Sequence, residues 1–187
     1  MKYLLRKIWP LVILLIASYV ILLTHAVDGF PYDLAEAYAI FATYVLVVGV
    51  LCQPLGKLVR PHYNGRGWFA CHKWEDGGKI YDRLFKVSKF KDSAVNAQKI
   101  FGGDVTPRTM PRDPQVLSAI IDETCKSELV HWLLILISPV MLALIHSWLK
   151  WPLWALYIIA NFRDILIQRF NRPRFVRLYN RLASKGE

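Results

Sequence analysis

Long apolar runs alternate along this chain with strongly cationic stretches, and each long run has the length of a helix rather than a strand. Four runs stand out, at about residues 8–24, 37–55, 129–149 and 151–168. Each approaches the roughly 20 residues that cross a bilayer at 1.5 Å per residue, and flanking Trp9, Tyr38 and basic side chains extend the shorter ones. The first follows Met1-Lys-Tyr-Leu-Leu-Arg-Lys, the charge order of a signal peptide. No small-x-small cleavage site follows before the His25–Tyr32 loop, so it is expected to persist as a helix. The second run stops at Gln53-Pro54, and the last two, joined at Lys150-Trp151-Pro152, form a helical hairpin. The expected fold is all-α: a single membrane domain of about four transmembrane helices, with a basic, partly interfacial loop at 56–128 and a basic tail at 169–187.

Charge orients these spans. Between residues 56 and 127 there are thirteen Lys and Arg against eight Asp and Glu, the tail is strongly basic, and the two short outer loops hold only Lys150. The positive-inside rule then places both termini and the central loop in the cytoplasm of a multi-pass cell-membrane protein. Within the loop, Arg60–Trp74 mixes turn formers with Trp68, Phe69 and Trp74, as a segment lying at headgroup level does. Residues 77–92 set Ile80, Leu84 and Val87 among cations as a basic amphipathic helix, and 102–114 read as a loop ending in an Asp113 cap with Pro114 at the first helical position.

A content of 55% hydrophobic residues with mean hydropathy +0.28 excludes an ordinary soluble domain. The formal charge of +10, spread around apolar runs, points to lipid headgroups and anionic substrates rather than nucleic acid. Cys52, Cys71 and Cys125 form no CxxC, so neither a disulfide framework nor a metal site is indicated. Walker, GxGxxG, HExxH and GxSxG motifs are absent, and no pattern speaks to oligomeric state.

The candidate chemistry gathers where the third run begins. Thr124, Glu128 and His131 share one helical stripe, with Glu128 and His131 at hydrogen-bonding spacing. Two readings stand: a catalytic dyad, in which the carboxylate steadies an imidazole acting as general base, or a pair that marks where a membrane helix leaves the headgroups. With the hairpin turning near residue 150, His131 is expected level with Gln168 and Glu128 level with Asn171, bringing Gln168, Arg169, Asn171, Arg172 and Arg174 to the same depth. Arg172 and Arg174 can fork onto phosphate oxygens or anchor the tail to headgroups. Asn161, Asp164 and Gln168 form a polar stripe that suits a cytoplasm-facing cleft, and the Arg163-Asp164 pair is open to a simple snorkelling account. Cys71-His72 are neighbours whose side chains diverge on a helix, and His72-Lys-Trp-Glu-Asp76 is one residue short of the His-x4-Asp box of glycerolipid acyltransferases.

The segments Glu123-Thr-Cys-Lys-Ser-Glu-Leu-Val-His-Trp, Ala160-Asn161 and Gln168-Arg-Phe-Asn-Arg-Pro-Arg resemble the glycosyl-4,4'-diaponeurosporenoate acyltransferase family over roughly residues 75–187, with Gly78-Lys79, Phe85 and Lys89–Lys91 a weaker echo. That resemblance implies a small bacterial membrane enzyme. It would esterify a sugar hydroxyl of a glycosylated C30 carotenoid acid, the last step to staphyloxanthin, using acyl-CoA or another acyl thioester as co-substrate and no resident cofactor. On this reading Glu128 and His131 are catalytic, and Thr124, Asn161, Gln168, Arg169, Asn171, Arg172 and Arg174 bind substrate. The extra apolar run before residue 56 and the Arg163-Asp164 pair depart from the family's pattern. The alternative function, from another class, is a non-catalytic membrane scaffold whose basic face docks anionic lipid or partner proteins.

Overall fold

A computed structural model describes residues 32–59, 61–91 and 113–184. They form helix α1 (Tyr32–Val59), a 3₁₀ turn (Lys73–Gly78), α2 (Lys79–Phe85), α3 (Pro114–Ile137), α4 (Pro139–Leu144) and α5 (Lys150–Ala183), and no strand occurs among the described residues.

Two of these stretches are long and apolar enough to cross a membrane, Leu34–Cys52 in α1 and Pro114–Leu144 in α3 and α4. In the most apolar part of each, only 22% and 28% of the residues are buried inside the protein. Val47, Val50, Leu51, Leu136 and Val140 point outward, an apolar surface that water disfavours and lipid accepts.

The expectation of four spans is therefore met in part. The run at 8–24 lies outside the described residues. The run at 37–55 is the core of α1, which continues through Pro54 to Val59. The third run lies in α3 and α4, and α3 begins at Pro114 as expected, with the Asp113 carboxylate accepting from the Gln115 amide at 2.8 Å. The fourth run is helical but sits inside the 34-residue α5, where Asn161, Arg163, Asp164 and Gln168 keep it below the hydropathy of a span.

The chain divides into two units. One comprises 32–54 and Leu133–Asn161. Its α1 buries the small side chains Ala35, Ala37 and Ala42, and Tyr157 meets the ring edges of Phe41 and Tyr44 with centroids 6.4 and 5.7 Å away. At the α3–α4 break, Pro139 has no amide proton to give, while the Ser138 hydroxyl donates to the Ile135 carbonyl and accepts from Trp154 Nε1 at 2.9 Å.

The second unit holds the described parts of Leu55–Trp132 and the rest of α5 from Phe162. Its apolar core is Tyr81, Val87, Leu166, Ile167 and Phe170. Gly78 permits the closest approach to α5: at φ +90° it takes a conformation that side chains rarely adopt, and a Cβ there would stand 3.0 Å from the Phe170 carbonyl oxygen. Upstream, the Asp122 carboxylate ties residues 62–63 to α3, accepting from His62 Nδ1 at 2.9 Å and from the Tyr63 amide at 3.0 Å.

Candidate active site

The candidate site lies in the second unit. On the stripe of α3 foreseen from the sequence, Glu128 is wholly buried, which a lone carboxylate does not tolerate. Its Oε2 accepts from Arg172 Nη2 at 2.6 Å, and its Oε1 from Arg169 Nε at 2.7 Å and, more distantly, from Trp132 Nε1 at 3.4 Å. Both arginines come from the expected polar run of α5. Arg169 then reaches outward: Nη1 donates to Glu75 Oε1 at 2.8 Å and Nη2 to the Trp68 carbonyl at 2.7 Å. Arg172 donates from Nε to the Thr124 hydroxyl at 2.8 Å, from Nη2 to the Thr124 carbonyl and from Nη1 to the Phe69 carbonyl, both at 2.9 Å.

Two buried cations thus face two buried carboxylates, and each guanidinium also lies 5.6 Å from an aromatic centroid, Arg169 by Trp68 and Arg172 by Phe69. Burial acts against the charge on Arg169, but Glu128 and Glu75 outweigh it and hold its pKa above the usual arginine value. Burial, reinforced by the nearby Glu75 charge, pushes the Tyr81 hydroxyl far above an ordinary phenol, so it stays protonated. The charges of this centre balance among protein groups. No group of three or more His, Cys, Asp or Glu suited to a metal occurs among the described residues.

His131 belongs to a second, more open cluster. Its Nε2 stands 3.7 Å from Asp164 Oδ2, and Asp164 Oδ1 accepts from Arg163 Nε at 3.2 Å and Nη2 at 3.1 Å. The His131 and Asp164 side chains remain 21% and 28% exposed, whereas Glu128 is sealed. Between the clusters, Gln168 Nε2 donates to Ser127 Oγ at 3.1 Å.

The expected pairing is met at Glu128, whose partners Arg169 and Arg172 flank the expected Asn171, and differs at two neighbours. Ser127 meets Gln168 and His131 meets Asp164, four residues or one helical turn from the register drawn for a hairpin turning at residue 150. The break at Ser138 and the non-helical residues 145–149 displace the turn from that point. In place of a Glu128–His131 pair, Glu128 goes to the arginines and His131 to Asp164. Arg169 and Arg172, expected to grip substrate, donate here to the protein acceptors named above. Arg174 is exposed, with its guanidinium 4.0 Å from the Phe170 centroid, and Asn171 is half-buried. Asn161 falls in the other unit, where its amide donates to the Tyr157 carbonyl at 2.9 Å.

Glu75 and the carbonyls of Trp68 and Phe69 were missed from the sequence. The signal available was charge balance: two arginines drawn to one buried carboxylate require a second. Beside the arginines and Cys71 is a cavity of about 10 Å³, room for about one water. A sugar or acyl chain does not fit there.

The profile of the glycosyl-4,4'-diaponeurosporenoate acyltransferase family matches residues 65–181, which contain both clusters. A curated protein of that name from Staphylococcus aureus strain Newman is 30% identical over 153 residues, covering 77% of this chain and 88% of its own. Its counterpart from strain MRSA252 is 32% identical over the same coverage. No solved structure matches the chain. The chain belongs to the glycosyl-4,4'-diaponeurosporenoate acyltransferase family.

Proposed function

We propose that this chain transfers a fatty acyl group from an acyl thioester, such as acyl-CoA, to a sugar hydroxyl of a glycosylated carotenoid acid at the cytoplasmic face of the cell membrane, with His131 as general base. The observation that carries the reading is the placement of His131. It is a part-exposed imidazole beside a carboxylate, in the later half of helix α3 and just before the apolar residues from Leu133, within the region shared with the acyltransferases. As the sugar oxygen attacks the thioester carbonyl, the imidazole takes the hydroxyl proton. Collapse of the tetrahedral intermediate breaks the C–S bond, and the imidazolium returns the proton to the departing thiolate, so an ester and a free thiol leave. Asp164, fixed by Arg163, stabilises the imidazolium and orients the ring. Glu128 acts from a distance, holding Arg169 and Arg172 and through them the 68–75 segment beside α3 and α5.

The same reading has both termini and the central loop in the cytoplasm of a multi-pass protein, supported by the charge asymmetry of the sequence. Cysteine probes near Lys91 and Ser184 then label from that side alone. To test the activity, lipids from a host that makes the glycosylated carotenoid acid are compared by mass spectrometry with and without this chain. The expected product is heavier by one esterified acyl group. Its absence while the protein is present and membrane-inserted would overturn the proposal.

A further inference from the structure

The surface around the 3₁₀ turn and α2 combines two features that seldom coexist on a water-facing patch. Trp74 is 62% exposed, Leu84 65% and Phe85 47%, yet they stand among the exposed cations Lys73, Lys79, Arg83, Lys86 and Lys89. Opposing charge is largely occupied. Glu75 is buried on Arg169, Asp76 lies 3.8 Å from Lys79, and the Asp82 carboxylate accepts from the Ser88 amide. Trp74 is also held in place, parallel to the His72 ring and edge-on to Tyr81 at 6.1 Å. Nearby in the chain, Trp68 meets Trp132 edge-on at 6.0 Å, and Trp132 immediately precedes the apolar run from Leu133. The 68–74 segment is thus joined to α3 where the helix would enter the hydrocarbon, the level at which tryptophans settle.

We infer that the face formed by Lys73, Trp74, Lys79, Arg83, Leu84 and Lys86 docks on the anionic headgroup layer of the bilayer, the cations meeting phosphates while Trp74 and Leu84 sink among the acyl-chain ends. The inference rests on the membrane reading under Proposed function. An acidic protein partner would match the charges, but it gives no reason for exposed apolar side chains among them. A headgroup layer over hydrocarbon accounts for both.

The test places a nitroxide at L84C in a C71S background and reads its collisions with oxygen, which partitions into lipid, and with a water-soluble nickel chelate. The full chain is reconstituted in nanodiscs of phosphatidylglycerol or of phosphatidylcholine. A second label at L136C, on the outward apolar face of α3, checks insertion. In phosphatidylglycerol the L84C label should favour oxygen. In phosphatidylcholine, or in the K79E/R83E/K86E variant, it should favour the chelate, since each cation strengthens surface attraction roughly 5-fold. Chelate-dominated collisions at L84C in both lipids, with L136C in lipid, would overturn the docking inference alone. A water-exposed L136C would overturn the membrane reading beneath it. Shielding of L84C in lipid-free detergent only when an acidic carrier protein is added would assign the face to a protein and reject the bilayer.

Discussion

Substituting Glu128 separates a catalytic from an architectural role for the most buried carboxylate of the site. Glu128→Gln keeps the shape but removes the charge, leaving Glu75 alone against Arg169 and Arg172, a net buried positive charge with two shortened donors at 2.6 and 2.7 Å facing a neutral amide. Removing one partner from a buried ion pair costs about 3–5 kcal/mol, a large share of a total stability of roughly 5–15 kcal/mol. For a chain of this length the melting midpoint should fall by on the order of 10 °C. Arg172→Gln alone should also destabilise, since it leaves two carboxylates on Arg169. The double variant restores the balance of Glu75 with Arg169, so its loss should be smaller than the sum of the singles by about 1–3 kcal/mol. Tryptophan fluorescence followed through thermal unfolding in nanodiscs reads all three. A Glu128→Gln protein that melts with wild-type and loses only turnover would refute this reasoning and return Glu128 to the chemistry. Strict additivity in the double variant would refute the network.

Other consequences can be checked independently. Gly78→Ala should cost about 3 kcal/mol, combining strain at φ +90° with overlap on the Phe170 carbonyl, whereas Gly65→Ala, at φ +69° with open space around it, should cost only about 1 kcal/mol by the same melting assay. Asp122→Ala removes both ties to residues 62–63 and should speed tryptic cleavage after exposed Arg66 by roughly tenfold, with cleavage after Arg83 unchanged; equal rates at Arg66 would show the ties to be idle. Hydrogen bonds from Ser88 hold the Asp82 carboxyl below the usual carboxylate range, so its contribution is present above that range and lost as acid passes below it. Hydrogen exchange at the Ser88 amide should lose its protection in that acid window. Protection that ignores pH there would contradict the assignment.

The one-dimensional pattern carried much of this architecture, because helix periodicity and span length are local properties. The stripe of Thr124, Glu128 and His131, the Asp113 cap and the polar run from Gln168 to Arg172 could all be read without a structure. What escaped was set by tertiary detail. The four-residue offset of Ser127 and His131 from the expected pairing depends on helix breaks such as those at Ser138 and residues 145–149, which hydropathy does not resolve. Glu75 lies far from Glu128 in sequence, and only folding brings both onto Arg169. Asp164 had an innocent explanation beside Arg163, and that offset is what carries it to His131.

The central claim is that His131 moves the proton in acyl transfer, with Asp164 behind it. The direct measurement is turnover by purified protein in nanodiscs, given a glycosylated carotenoid acid and an acyl thioester, with the ester quantified by mass spectrometry and folding confirmed by melting. His131→Ala should lower kcat about 10²–10⁴-fold and leave KM and the melting midpoint nearly unchanged, and Asp164→Asn should lower kcat in the same direction. Wild-type turnover in well-folded His131→Ala protein would contradict the account.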